Sequence, residues 1–230
     1  MILVPVKDLS GAKQRLASVL SQSARTELAH AMLTDVLDAI AVFGGDDVSL
    51  VTSDPFALDL ANQLAFEIIR DDSNVSETDA IAMATRVCES HGINSVLVIP
   101  GDIPLIDAAE IRAIYDSASP NGAVLVPSRD KRGTNAVLRR PASLFPLRFG
   151  NDSFMPHLSA AIATDTSCVV LSLPGIALDI DTPADLMELA QATGSKKSQL
   201  LARQHGFAAE TTSPIHCPRS NIDASLTAKR

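Results

Sequence analysis

Short apolar, β-branched runs alternate along this chain with stretches in which apolar residues recur every three or four positions. ILVPV at 2–6 predicts a buried strand. After a polar loop, Leu28, Met32, Val36 and Ile40 mark one face of a helix within 26–40. DVSLVTS at 47–53 predicts a second strand, Pro55 opens a helix reaching about Leu64, and FEIIRD predicts a third strand. SETDAIAMATRVCES reads as a helix in which Ser76 and Asp79 have capping-box spacing, with Asp in place of Glu or Gln. SVLVIPGD at 95–102 is an unbroken apolar run ending in a turn, suited to the middle of a sheet. AEIRAIYDSA predicts a helix, GAVLVPS, TNAVLRR, CVVLSLP and IALDI predict strands, and ADLMELAQA predicts a closing helix.

This alternation predicts an α/β fold, a mostly parallel sheet with helices on both faces. Between 121 and 150 the strands follow one another without a helix, which predicts a small antiparallel extension. From about Thr193 the chain turns polar and loses its period, so 1–204 is expected to be one folded domain and 205–230 a disordered tail. His216 and Cys217 fall in that tail, where a neighbouring pair of this kind is not expected to bind metal.

Composition narrows the function. A net charge of −8 and aromatic residues at 3%, with no Trp, argue against nucleic-acid and anionic-membrane binding. Three widely spaced cysteines, Cys88, Cys168 and Cys217, make neither a zinc site nor a disulfide framework and suit a reducing cytoplasm. The apolar run before Lys7 is too short for a signal peptide or a membrane span.

In an open α/β sheet the ligand crevice lies beyond the carboxyl ends of the strands, and three loops there carry candidate chemistry. VKDLSGAKQRL sets Lys7, Lys13 and Arg15 around a turn of small residues. That composition suits a polyphosphate or a plain basic turn, and it is not a Walker A loop. VIPGDIPLI delivers Asp102 at the end of an apolar strand, as a hard-cation ligand or a turn-capping residue. LDIDTPADL puts Asp179 and Asp181 two residues apart, so an extended backbone points both to one side. Thr182 as N-cap, Pro183 at N1 and Asp185 at N3 account for the helix start. The two aspartates repel unless a proton or cation intervenes, and magnesium answers best. Finally, Arg129, Lys131, Arg132, Arg139, Arg140 and Arg148 put six of 19 basic residues between 129 and 148. Such an excess in an acidic chain suggests an anionic ligand, with a solvated face as the alternative for some of them, especially Arg139 and Arg140, which point opposite ways on a strand.

VPVKDLSGAKQRL, PGDIPL, RGTNAVLRRP, LRFGNDSFMPHLSAA and DIDTPADL together resemble, across 1–192, the 2-phospho-L-lactate guanylyltransferase family with its phosphoenolpyruvate and 3-phospho-D-glycerate members. The resemblance implies a Rossmann-like, GT-A-type nucleotidyltransferase fold. It also implies attack by an acceptor phosphate on the α-phosphorus of GTP, giving pyrophosphate and a diphospho-5'-guanosine intermediate of coenzyme F(420) biosynthesis. By the same resemblance Lys13 and Arg15, with Lys7 nearby, hold the nucleotide, and Lys13 and Asp102 are the catalytic pair. Asp102, Asp179 and Asp181 hold magnesium. Thr134, Gly150 and Ser153 bind the acid, with Arg132 and Arg148 attracting it from further away. His157 is expected to be a helix residue. Relatives often carry a Gly-Leu-Asn-like segment where this chain reads NVSETDAIAMA, a departure expected to face the nucleotide or the acceptor. A homodimer and hand-over of the labile product to a downstream transferase stay open. So do two alternatives: transfer to molybdopterin or a sugar phosphate, and nucleotide binding without catalysis.

Overall fold

The computed structural model describes residues 1–44, 47–72, 75–150 and 152–207. Seven strands form one sheet: β1 (Ile2–Val6), β2 (Val48–Thr52), β3 (Glu67–Ile69), β4 (Val96–Val98), β5 (Gly122–Pro127), β6 (Thr134–Arg140) and β7 (Ser167–Val170). Their order is β3-β2-β1-β4-β6-β5-β7. β3, β2, β1 and β4 are parallel, and β6 runs antiparallel to both β4 and β5. The expected antiparallel strand is therefore not at the rim. It lies inside the sheet, paired on both sides.

That one reversal organises the molecule. The carboxyl ends of β1, β4, β5 and β7 emerge along one edge, and the reversed β6 brings its amino end there too. Thr134 and Asn135 open β6, so they share an edge with the loops that leave β1 and β4.

Helices α1 (Gln22–Phe43), α2 (Pro55–Leu64), α3 (Glu77–Ser90), α4 (Ala108–Asp116), α5 (Phe154–Ile162), α6 (Pro174–Ala177), α7 (Pro183–Gln191) and α8 (Lys197–Ala202) cover the sheet. Strand side chains alternate between two cores, as a pleat requires. Ile2, Val4 and Val6 pack with Leu33, Leu37, Leu60 and Ile111 on one face. Leu3, Val96 and Val98 pack with Ile81, Ala84 and Phe154 on the other. A third core lies outside the sheet, where Leu16, Leu28 and Met32 meet Leu178, Ile180, Leu186, Leu189 and Leu201. Helix α1 thus buries two faces, so one apolar stripe understates its packing.

Ser76 accepts an N–H from the first turn as expected, and Thr182 and Asp185 form a complete capping box; Ser21, Asp54 and Asp107 cap their helices in the same way. Two expectations fail. IALDI is not a strand, because Pro174–Ala177 forms a helical turn before the backbone extends through Leu178. The last helix is α8, in a segment whose polar residues suggested no packing. Its Ser198 and Gln199 are fully buried, and Asp35 on α1 accepts from the Lys197 and Ser198 amides at 2.9 and 2.8 Å. Arg203–Phe207 continues the chain and Phe207 packs on the third core. Residues 208–230, most of the expected tail and with it His216 and Cys217, lie outside the described residues. No helix among the described residues is long and apolar enough to cross a membrane.

Gly175 is the closest point between α6 and the turn before α4. Its N–H donates to Glu110 Oε1 at 2.7 Å, and an added Cβ would lie 2.6 Å from the Leu105 carbonyl and nearer still to the Glu110 carboxylate. Gly175→Ala is expected to cost about 2 kcal/mol or more of stability by overpacking. Urea denaturation checks this; an unchanged midpoint would show that α6 is free to move away.

Candidate active site

The loop after β1 turns back at Lys13, whose φ of 55° is left-handed and therefore strained for a side-chain-bearing residue. That turn drives its side chain inward, to 9% exposure. The Lys13 ammonium donates to Asp102 Oδ2 at 2.7 Å and to Asp181 Oδ1 at 3.0 Å. Arg15 reaches the other Asp181 oxygen at 3.2 Å from the solvent side. Burial alone would favour loss of the Lys13 proton. The two carboxylates outweigh it, so the pKa is raised and the ammonium persists. Burial likewise opposes charge on Asp181, but Lys13 and Arg15 hold its carboxyl below its ordinary value.

Asp179 and Asp181 project to one side because the residues alternating with them, Leu178 and Ile180, are buried in the third core. The Ile180 N–H donates to the Asp102 carbonyl at 3.1 Å, locking the two acidic loops together. Asp179 accepts from Asn135 Nδ2 at 3.0 Å, the same amide that donates to the Ile176 carbonyl at 2.9 Å. Burial, and then the charges of Asp102 and Asp181, raise the Asp179 pKa against that hydrogen bond. Asn135 was quoted in the motif RGTN but given no role by sequence reasoning. Its position beside Thr134 at the start of β6 was the available signal.

Two cavities meet at this cluster. One, about 610 Å³, is lined by Thr134, Ser153, Gly150, Asp179 and Arg132. The other, about 480 Å³, is lined by Lys7, Lys13, Gln14 and Gly101. Arg15, Glu77, Pro100, Asp102 and Asp181 border both. Thr134 donates its backbone N–H to Ser153 Oγ at 3.1 Å, which ties β6 to the start of α5. Lys7 is paired with Asp71 at 3.0 Å.

The basic cluster of 129–148 separates on folding. Arg129 binds Asp185 and Glu188, and Arg132 forks onto Asp152 at 2.6 and 3.2 Å beside the larger cavity. Arg139 is buried on the Phe145 carbonyl and Thr85, and burial lowers its pKa to about 10. Arg140 lies over the Tyr115 ring and binds Ser95. Neither expectation for these two, anion site or solvated face, holds: Arg139 anchors the chain after β6, and Arg140 ties the end of β6 to Ser95 and to the Ala118 carbonyl. The exposed Arg148 does not line either cavity, and its backbone N–H bonds His157.

Glu77 had no part in the sequence reading beyond its place in the divergent segment near Ser76. It opens α3 and faces both cavities. Burial, then the charge of Asp102, pushes its carboxyl up to about 7, against the pull of Lys7 and Lys13. Its acidity is set by long-range packing, which local sequence does not encode.

No three His, Cys, Asp or Glu side chains among the described residues form a group placed to hold a metal by themselves. Magnesium is usually held by one or two carboxylates, with substrate phosphates and waters completing six oxygens. Asp102 and Asp181, converging on one Lys13 atom with Asp179 alongside, fit that smaller requirement, and the donors are all oxygen.

Residues 1–223 match the family described as "Guanylyl transferase CofC like". The phosphoenolpyruvate guanylyltransferase of Rubrobacter xylanophilus is 35% identical over 193 residues, 84% of this chain and 94% of its own. The 2-phospho-L-lactate guanylyltransferase of Methanothermobacter thermautotrophicus is 33% identical over 187 residues, covering 81% and 82%. Among solved structures, a nucleotidyl transferase of M. thermautotrophicus superposes with a TM-score of 0.56 at 17% identity, covering 82% and 94%. A Desulfovibrio desulfuricans protein, provisionally described as a nucleotide-diphospho-sugar transferase, superposes at 0.73 with 18% identity, covering 88% and 93%. These two share the fold.

The raised Glu77 pKa makes a signed prediction. The folded protein binds this proton more tightly than the unfolded chain, so stability falls as pH rises from the ordinary value of 4.5 through about 7. Glu77→Gln should therefore stabilise the magnesium-free protein by on the order of 2 kcal/mol near pH 8 and by little near pH 5. Urea titrations at the two pH values measure it, and equal gains at both would refute the assignment.

Proposed function

The chain belongs to the CofC-like guanylyl transferase family, and from that premise we propose that it joins GTP to a small phosphorylated acid. It is a nucleotidyltransferase. The acceptors most consistent with its relatives are phosphoenolpyruvate, 2-phospho-L-lactate and 3-phospho-D-glycerate, and the diphospho-5'-guanosine product is of the kind used to build coenzyme F(420). The observation that carries the reading is the shared wall of the two cavities. Lys7 and Lys13 line the smaller cavity, Thr134 and Ser153 the larger, and Arg15, Asp102 and Asp181 border both.

In this assignment an oxygen of the acceptor phosphate forms a bond to the α-phosphorus of GTP while the bond to the bridging β-oxygen breaks, and pyrophosphate departs. The nucleophile is already an anion, so no deprotonating base is required. The difficulty is bringing two polyanions together in line. Lys13, Arg15 and Lys7 neutralise the triphosphate in the smaller cavity. Thr134, Ser153 and the Gly150 amide receive the acid in the larger one, with Arg132 at its rim. Gly150 has a φ of 128°, and an added Cβ would meet nothing within 4 Å, so glycine is required there by backbone conformation. Asp102, Asp181 and Asp179 would hold magnesium, which when bound supplies positive charge to the triphosphate as negative charge shifts toward the leaving group. Lys13 then gains phosphate partners in exchange for carboxylates.

GTP, magnesium and each acid are to be combined, with pyrophosphate release and product mass as readouts. Pyrophosphate is expected with at least one phosphorylated acid and not with sugar phosphates; the reverse pattern would overturn the reading. Asp102→Asn should reduce kcat/KM by about 3 kcal/mol with folding retained. Thr134→Ala and Ser153→Ala should each raise KM for the acid by roughly 1.5–3 kcal/mol and leave KM for GTP in place. A rise in the GTP value instead would move these residues to the nucleotide side.

A further inference from the structure

His157 is the buried histidine beneath the larger cavity, at 1% exposure, on the second turn of α5. Its two ring nitrogens have different partners. The backbone N–H of Arg148 donates to Nε2 at 2.8 Å, and Nδ1 lies 2.9 Å from Thr134 Oγ1. A backbone amide can only donate, so Nε2 must be the unprotonated nitrogen. A neutral ring then carries its proton on Nδ1 and donates it to the Thr134 hydroxyl oxygen. Burial, with the charge of Arg139 behind it, lowers the ring's pKa to about 4, so neutrality holds throughout the physiological range.

The hydroxyls inherit their direction from this. Thr134 Oγ1 accepts from His157, and Ser153 Oγ accepts from the Thr134 N–H at 3.1 Å. Both residues are nearly buried and both line the cavity. Each hydroxyl has one of its two accepting positions filled from the protein side and its proton left to donate, and among the described residues neither proton has an acceptor. An oxygen that already accepts a hydrogen bond is a better donor.

We propose that His157 is a positioning residue that fixes the polarity of this cavity, turning the Thr134 hydroxyl into an outward donor so that the paired hydroxyls select an acceptor-only oxygen, carboxylate or phosphate. An amide N–H arriving there would meet two protons facing its own, whereas a carboxylate or phosphate oxygen accepts both. The ring also packs edge-on against Phe149 at 5.4 Å, and the Phe149 N–H bonds Thr78 Oγ1 at 3.0 Å. The His157 ring therefore also supports the loop that carries Gly150. The inference deepens the proposed function and rests on reading this cavity as the acid's place.

The first test needs no substrate. Long-range proton–nitrogen NMR of protein labelled with 15N-histidine should show the Nδ1–H tautomer for His157 near neutral pH. An Nε2–H tautomer or a charged ring would overturn the proposal. The second test compares His157→Asn, whose amide can still donate from the δ position, with His157→Phe, which cannot. The Phe variant should raise KM for the acid roughly tenfold, the value of about one hydrogen bond to a charged group. KM for GTP should stay within about twofold, and the Asn variant should recover most of the loss. In a Thr134→Val background the difference between Asn and Phe should vanish. Equal damage to both substrates, tracking loss of melting temperature, would reduce His157 to a packing residue. A parent enzyme that turns over no phosphorylated acid would defeat the functional reading instead. The tautomer, with an inorganic phosphate titration that should be about tenfold weaker in the Phe variant, then decides the cavity's polarity independently.

Discussion

A single ammonium, that of Lys13, holds the site in its ligand-free form. Asp102 leaves β4 in the middle of the sheet, Asp181 follows α6 beyond the last strand, and the two would repel each other with nothing between them. Removing a charge from water costs several kcal/mol, and only well-placed opposite charges offset it. Here two carboxylates surround one ammonium, with Arg15 outside. The left-handed backbone at Lys13 costs on the order of 1 kcal/mol, and the geometry it makes possible is the reward. The arrangement is electrically satisfied yet replaceable, since a divalent cation and a polyphosphate together offer the same charges in a different pairing.

The rest of the fold serves to place that cluster opposite a set of neutral donors. The reversal of β6 achieves this. It sets Thr134 and Asn135 at the edge where every other contributing strand ends, so that Asn135 steadies Asp179 while Thr134 faces the larger of the two cavities. A parallel strand in this place would have carried these residues to the far edge. The Ile180–Asp102 backbone bond and the close approach at Gly175 then fix how far the acidic loops stand apart.

Much of this was legible from local pattern. Two-residue alternation and helical spacing located the main strands and helices, and Ser76, Thr182 and Asp185 announced their caps. Asp102, Asp179 and Asp181 could be singled out because each ends an apolar run, a place where uncompensated charge has no structural use. What stayed hidden depended on partners remote in sequence. Ser198 and Gln199 look like solvent-facing residues until Asp35 and the third core are in place. Ile176, Leu178 and Ile180 alternate like a strand, although the first belongs to a helical turn and only the latter part is extended. Arg139 and Arg140 counted toward a basic patch because charge along a sequence does not distinguish a buried anchor from a ligand-facing cation. Glu77 is an ordinary first-turn acid until the fold brings Asp102 near it.

The hydrogen bond between Lys13 and Asp181 spans a sequence separation of 168 residues. During synthesis the first strand and its loop emerge before Asp102 and long before Asp181, so the second of the two counter-charges is added only when the chain behind α6 has docked. Closure over so long an interval is entropically slow. A nascent or truncated chain lacking Asp181 cannot complete this charge cluster, so any ligand that reunites these segments reports on completion of folding as much as on binding.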